Sequence, residues 1–135
     1  MIINILQSLL ETYTNKPITI DYAENETGAY GLYNTGVTVI KEFIDGRVEK
    51  QANFTLYIHS DSVSDADRLY NLSQLNAIAD YIQAVKNYDI TDENNNIAGI
   101  IKKFTCSNGM LFAVPENVNN GYTYQLQIKC NYILN

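Results

Sequence analysis

Apolar residues recur at three- and four-residue steps in two stretches of the chain, which is the spacing of amphipathic helices. The first stretch runs from Ile2 to Tyr13. The second helix is predicted to begin within Ser60–Asp67, where Ser and Asp side chains suit a helix start. It continues for about 20 residues, and its main apolar face is made of Leu69, Leu72, Leu75, Ile78, Ile82 and Val85.

A second stripe on this helix, formed by Tyr70, Ala77, Tyr81 and Ala84, is the candidate subunit interface. One sheet cannot cover both stripes, so the second stripe is either buried between two sheets or faces another subunit. Tyrosine suits a contact surface because its ring is apolar while its hydroxyl group stays hydrated. The chain has 11 tyrosines and no tryptophan, a composition that favours an interaction protein.

Alternation with a period of two predicts strands in the first half of the chain. A short strand follows Pro17, and a longer apolar segment spans residues 37–44. Asp45-Gly46 is the two-residue signal of a tight hairpin, and alternation resumes over residues 52–59. Residues 30–33 fit either a short irregular strand or an ordered loop.

The second half of the chain is predicted to contain a hairpin and a final long strand. Residues 89–96 are acidic and rich in asparagine, and we expect a solvated loop there. Strands over residues 97–106 and 110–114 flank Ser107-Asn108-Gly109, which suits a tight hairpin turn. Alternation is clearest over residues 122–134, where one face is expected to be buried.

The length and element order predict one α+β domain over residues 1–135. We expect a mixed or antiparallel sheet with an N-terminal helix and one long central helix packed on it, in the order α-β-ββ-α-ββ. Nine basic and fifteen acidic residues give a net charge of −6, so no general attraction to nucleic acid phosphates is expected. No apolar run is long enough to span a bilayer. The N-terminus lacks the features of a secretory signal, so the cytoplasm is the expected compartment.

No residue pattern predicts an enzyme, and no catalytic, metal or cofactor site is expected. His59, Ser60 and Asp61 are adjacent in the chain, and adjacent residues do not form the geometry of a catalytic triad. Asp61, Asp65 and Asp67 lack the central glycine and closing glutamate of a calcium loop. Helix capping explains these three aspartates better.

The two cysteines, Cys106 and Cys130, are too few and too far apart for a zinc knuckle. Disulfide bonds are rare in a reducing cytoplasm. We therefore expect both cysteines to act as small buried hydrophobic residues.

Several segments together resemble one family of phage proteins. Val37–Gly46 reads VTVIKEFIDG, and Lys50–Phe54 follows it as KQANF. Asn71–Ile82 is similar to the family's helix, which ends in an acid, an aromatic residue and an isoleucine, with Tyr81 standing where the family has tryptophan. Ser107–Leu111 and Tyr122–Cys130 resemble the family's closing hairpin. The family comprises the small minor capsid or tail-terminator proteins of phages and prophages of Firmicutes.

The resemblance implies a tail-terminator fold whose copies form a homo-hexameric ring. Such a ring caps the tail tube, meets the head-completion or connector protein, and lets genomic DNA pass through its lumen without specific binding. The implied location is the tail or neck of the virion, with no membrane and no cofactor. An acidic chain suits a DNA conduit because carboxylates repel phosphates.

Two other functions remain open from the sequence. One is a monomeric adaptor of the virion or host that uses a tyrosine-rich surface for a foreign partner. The other is a small acyltransferase, since many members of the family carry a chloramphenicol-resistance label. Acyl transfer of that type needs a histidine general base in a defined cleft, and His59 is the only histidine.

Overall fold

The computed structural model describes residues 2–20, 30–60, 65–107, 110–113 and 122–135. These ranges contain two helices and seven strands. The elements are α1 (Ile2–Thr14), β1 (Ile18–Ile20), β2 (Tyr30–Glu42), β3 (Val48–Ser60), α2 (Asp65–Gln83), β4 (Lys86–Thr91), β5 (Ile97–Cys106), β6 (Met110–Ala113) and β7 (Tyr122–Leu134).

The strands form one mixed sheet, and the predicted α+β class is confirmed. Six strands follow the path β1-β2-β3-β7-β5-β4, and β6 pairs with β7 off this path. β1 and β2 are parallel, whereas the other described pairings are antiparallel. The two helices contact each other, and α2 also contacts β5 and β7.

The first helix forms where the apolar spacing predicts it. Leu6 and Leu10 are fully buried on its inner face. The Gln7 side chain joins this helix to the sheet, because its Nε2 donates a hydrogen bond to the Ile18 carbonyl oxygen at 2.7 Å. The helix ends at Thr14, and Asn15 then adopts a left-handed conformation with φ 56°. Asparagine tolerates this conformation better than most residues.

The buried face of α2 is shorter than the sequence pattern predicts. Leu75, Ile78 and Ile82 are almost completely buried, but Leu69 is 69% exposed, so its assignment to the core face is wrong. Leu69 lies in the first turns of the helix, before the part that enters the core. At the other end, the Gln83 Oε1 accepts a hydrogen bond from the Cys106 backbone N–H at 3.2 Å and fixes α2 against β5.

The centre of the sheet is formed by β3 and β7, whose apolar faces lie side by side. Phe54 faces Ile128 and Leu56 faces Leu126 across this pairing. The predicted alternation in the last strand is confirmed for the side chains that the structure describes. The buried residues on its inner face are Tyr124, Leu126, Ile128, Cys130 and Tyr132.

The expected loop over residues 89–96 is only partly correct. Residues 89–91 belong to β4, a strand that the sequence pattern missed, and β4 forms a hairpin with β5. The Asp92 Oδ1 accepts hydrogen bonds from the backbone N–H groups of Asn94 and Asn96, both at 2.9 Å. The sequence pattern did not reveal β4, because it is an edge strand whose side chains are mostly polar and whose only buried residue is Ile90.

The predicted hairpin around Ser107-Asn108-Gly109 is wrong. Both β5 and β6 pair antiparallel with the same edge of β7, so they run in the same direction. Cys106 faces Ile128 and Met110 faces Gln125. β6 therefore continues along β7 from the point where β5 ends, and the two strands together form one neighbour of β7 with a break between them. Residues 108 and 109 lie outside the described residues, as do residue 61 of the expected helix cap and the connection over residues 114–121.

The first long strand begins earlier than predicted. Residues 30–33 and 37–42 form one strand, β2, in which irregular pairing occurs near Gly36 and Ile40. Gly36 has φ 129°, a value that glycine adopts without strain, and its N–H donates to the Asn34 Oδ1 at 3.0 Å. The hairpin at Asp45-Gly46 is confirmed, but its loop is longer than the predicted two residues. The Phe43 N–H donates to the Arg47 carbonyl oxygen at 2.9 Å, which leaves Ile44, Asp45 and Gly46 in the loop.

Candidate assembly surfaces

The four residues of the predicted interface stripe lie in different environments. Tyr70 is 62% exposed and Ala84 is also exposed, whereas Ala77 and Tyr81 are half-buried. The Tyr81 ring stacks on the ring of Tyr13 from α1, with 4.5 Å between centroids and 14° between planes. The first helix therefore covers part of the stripe and extends it with a tyrosine of its own.

Tyr13 and Tyr70 lie close to a third tyrosine, Tyr30, at the start of β2. Tyr30 is buried, and burial raises the pKa of its hydroxyl group. The nearby Tyr70 and Tyr13 hydroxyl groups raise this pKa further, because a second negative charge beside either would be unfavourable. Lys16 lies on the edge of the same cluster, with its Nζ 6.0 Å from the centre of the Tyr30 ring.

We call the outer part of this cluster the tyrosine surface, and define it as Tyr13, Leu69, Tyr70 and Tyr81. Tyr13 is 42% exposed, and Leu69 and Tyr70 near the start of α2 are more exposed. Large apolar side chains that cluster at a surface are typical of protein contact sites. The sequence pattern identified the two α2 tyrosines as a candidate interface stripe, but it placed Tyr13 and Leu69 in the core. Helical periodicity shows which side of a helix is apolar, but it does not show how much of that side other elements cover.

A second exposed apolar region follows the outer half of β2 into the hairpin turn. We call it the β2 arm and define it as Val37, Val39, Ile40 and Ile44. Val37, Val39 and Ile40 are about half exposed, and Ile44 is fully exposed. Val37 faces the buried Ala52 across the β2–β3 pairing, so the apolar face of the sheet continues past the area that the helices cover.

Charged side chains surround the tip of the β2 arm. The Lys41 Nζ and the Arg47 guanidinium carbon lie 5.1 Å and 5.5 Å from the centre of the Phe43 ring, within the range of cation–π contacts. Arg47 also forms an ion pair with Asp45, with 2.8 Å between Nε and Oδ2. Hydrogen bonds from the Arg47 backbone and side chain hold the pKa of the Asp45 carboxyl group below its usual value.

The opposite face of the sheet is polar and internally paired. Gln51 donates a hydrogen bond from Nε2 to the Asn131 Oδ1 at 3.0 Å. Lys102 forms an ion pair with the buried Glu49, with 3.0 Å between Nζ and Oε1. These contacts satisfy polar groups between neighbouring strands, and they have a structural role.

The candidate catalytic and metal residues do not converge in the described part of the chain. His59 lies in β3 and faces Thr123 of β7 in the strand pairing, while Asp61 is outside the described residues. The described ranges contain no group of three or more His, Cys, Asp or Glu residues that could hold a metal ion. A depression of about 390 Å³ beside the hairpin turn is lined by Asp45, Arg47 and Lys50 among others, and it contains no histidine or cysteine.

The two cysteines lie next to the core, as the sequence predicts. Cys130 is fully buried and Cys106 is half-buried. Burial raises the pKa of both thiols to about 12, and Asp80 contributes further to the shift at Cys106. A thiol with so high a pKa is a poor nucleophile near neutral pH, because the thiolate is the reactive form.

None of the helices in the described ranges has the length and apolar character that crossing a membrane requires. No protein-family model matches this sequence, and no curated protein matches it.

Proposed function

We propose that this chain is a structural subunit of a tailed phage or a tail-like particle, which assembles with copies of itself into a ring at the end of the tail tube. The observation that carries the proposal is the exposure of Tyr13, Leu69 and Tyr70, with Tyr13 and Tyr70 both near the buried Tyr30. The resemblance to tail-terminator proteins supports the same function, and it covers residues 37–46, 50–54, 71–82, 107–111 and 122–130.

The exposed tyrosines favour assembly for a physical reason. An aromatic side chain buries a large apolar area when it is covered, and tyrosine is enriched among the residues that dominate binding energy at interfaces. In an isolated chain, Tyr70 and Leu69 leave most of this area in water. A partner that covers them gains the free energy of burying that area without rearranging the core.

The proposed arrangement is that of tail terminators. The helix α2 packs on a mixed sheet, six copies form a closed ring, and the two ends of the ring contact the tail tube protein and the head-completion or connector protein. Genomic DNA passes through the lumen without specific binding. The net charge of −6 is consistent with this passage because an acidic wall does not hold phosphates. Such a protein acts by assembly in the virion and catalyses no reaction.

Sedimentation velocity over a wide range of protein concentrations, followed by electron microscopy with purified tail tubes, tests the proposal. We expect association with rising concentration and ring-shaped density at one end of each tube. A chain that stays monomeric at all concentrations and does not bind tubes would contradict the proposal. A monomer that binds another protein through Tyr70 would instead support the adaptor function.

A further inference from the structure

Three exposed lysines lie together on the polar face of the sheet. Lys86 of β4 is directly opposite Lys103 of β5 in the strand pairing, and Lys103 is opposite Asn131 of β7. Residues that face each other across antiparallel strands lie on the same side of the sheet. Asn131 and the exposed Lys129 alternate with the buried Cys130, so both lie on the polar side. We call Lys86, Lys103 and Lys129 the lysine row.

The members of the lysine row are close neighbours. Directly opposite residues have Cβ atoms about 4.5–5.5 Å apart, which applies to Lys86 and Lys103. Lys129 is opposite Thr105, two residues further along β5, so it is the diagonal neighbour of Lys103. Diagonal neighbours are about 7–8 Å apart and within reach of long side chains. The row therefore places three positive charges side by side.

The acidic residues nearby do not neutralise the lysine row. Glu49 lies on the same face, but it is opposite Lys41 and forms an ion pair with Lys102 at 3.0 Å, so it is already compensated. Asp89 lies three residues along β4 from Lys86 and is opposite Ile100. In the described part of the chain, no acid forms an ion pair with a member of the row.

A structural role explains only one of the three lysines. A lysine on an edge strand discourages pairing with other chains, which accounts for Lys86 in β4. It does not account for Lys103 and Lys129, because β5 and β7 have strands on both sides. Like charges directly opposite each other destabilise a sheet. A negatively charged ligand on this face would relieve that repulsion.

A depression beside Lys129 offers room for the acidic groups of such a ligand. It has a volume of about 340 Å³, and its polar lining residues are Thr35, Asn53, Thr55, Gln127 and Lys129. Their hydroxyl, amide and ammonium groups can all donate hydrogen bonds to a carboxylate. None of the described residues that line the depression is acidic. The depression and the lysine row therefore favour the same kind of ligand.

We propose that the lysine row and the adjoining depression bind an acidic segment of a partner protein. The inference goes beyond the proposed function, and it does not require that copies of the chain form a ring. A nucleic acid carries a negative charge at every nucleotide and would extend over the rest of a chain whose net charge is −6. A short acidic segment can confine its charge to the row, and this difference favours a protein partner.

Fluorescence anisotropy with a labelled peptide tests the proposal on the full chain. The probe is a short peptide of alternating glutamate and serine, and its control has glutamine in place of glutamate. We expect the chain to bind only the glutamate peptide, with an affinity that falls as salt is added because exposed charges are screened. Lys103→Gln and Lys129→Gln should each weaken this binding about threefold.

A matched control removes the same charge elsewhere. Lys16 is exposed and precedes β1, the strand at the opposite end of the sheet from β4. Lys16→Gln is expected to leave the peptide affinity unchanged. Circular dichroism checks the fold of each variant, and either row variant tests the proposal if the other fails to fold. Neither Lys103→Gln nor Lys129→Gln should lower the melting temperature, because the lysines of the row repel each other.

Three results would overturn the proposal. The first is a chain that does not bind the glutamate peptide. The second is an equal loss of affinity in Lys16→Gln, which would show attraction to charge in general. The third is a single-stranded oligonucleotide of the same net charge that binds more tightly than the peptide and loses affinity in Lys129→Gln, which would make nucleic acid the ligand. Sedimentation velocity tests the ring separately, so the proposed function can fail or hold independently of this site.

Discussion

β2 and β7 are both strands of 13 residues, yet they are buried in different ways. Along β7, alternate side chains from Tyr124 to Tyr132 are buried. Along β2, residues 30–32 are buried, while residues 34–42 are exposed without alternation. Both strands are rich in residues that favour β-structure. The difference shows that strand formation and burial have separate causes.

The covering layer explains this difference. β7 lies between β3 and β5 and is contacted by α2, so its apolar face has a layer above it and strands on both sides. The outer half of β2 is paired with β3, whereas β1 reaches only its first three residues. Apolar side chains beyond the helices remain in water unless another molecule covers them. The contrast between β7 and the β2 arm can be tested by substitution.

The largest expected effect comes from truncating matched isoleucines in the two strands. Ile128→Ala in β7 should lower the free energy of unfolding by about 2–5 kcal/mol, because it leaves a cavity in a closely packed core. Ile128 is fully buried, whereas Ile40 is 47% exposed. Ile40→Ala should therefore change stability by about 0.5 kcal/mol or less. Urea denaturation monitored by circular dichroism measures both, and equal losses would contradict the difference in burial.

An intermediate effect is expected from glycine substitutions in the two regions. A Cβ atom at Gly99 would overlap the Ile133 carbonyl oxygen and lie 3.0 Å from the Leu134 Cα atom. Gly99→Ala should therefore cost about 1–3 kcal/mol, because the β5–β7 pairing must shift. A Cβ at Gly36 meets nothing within 4 Å, so Gly36→Ala adds only the strain of φ 129°.

Thermal unfolding of the two glycine variants measures this difference. We expect the melting temperature to fall further for Gly99→Ala than for Gly36→Ala. The reverse order would show that backbone strain at Gly36 outweighs the close packing around Gly99 in the covered part of the sheet.

The smallest effect at neutral pH concerns the buried thiol of β7. The pKa of Cys130 rises from 9.0 to about 12 on burial, so the native protein holds the thiol in its neutral form. Since the unfolded chain releases this proton at lower pH, the free energy of unfolding should fall as pH rises from about 9 to about 12. Cys130→Ala should remove this thiol's contribution to the pH dependence.

Thiol labelling checks the same prediction at lower pH. We expect native Cys130 to react slowly with a thiol reagent at pH 8 and rapidly after unfolding in urea. Cys106→Ala isolates the Cys130 reaction in this assay. Rapid labelling of the folded Cys106→Ala variant would contradict the burial of Cys130.

Much of the fold could be predicted from local patterns. The periodicity of residues 2–13 and 122–134 predicts α1 and β7 with their buried faces, apart from Tyr13, which is 42% exposed. Asp45-Gly46 predicts the first hairpin. The pattern missed β4 because only Ile90 in that strand is buried. It also predicted a hairpin at Ser107-Asn108-Gly109, since a turn motif does not show whether the chain reverses or continues along the same partner strand.

The candidate surface was only partly predictable, for a related reason. Tyr70 and Tyr81 follow from helical spacing, but their relation to Tyr13 and Tyr30 depends on how α1, α2 and β2 pack together. The exposure of Val37 and Val39 also depends on that packing, because the apolar, β-branched sequence around them is the kind found in buried strands. Residues distant in the sequence decide which apolar positions are covered.

The sequence by itself determined the α+β class, both helices, the long strands and the alternating face of β7, because these depend on interactions between residues close together in the chain. The tertiary structure alone decided the strand order, the continuation of β5 into β6 and the limit of the helical layer over β2. Those features depend on contacts between distant residues, whose free energies local periodicity does not encode. The two exposed surfaces exist because that layer ends before the apolar pattern does.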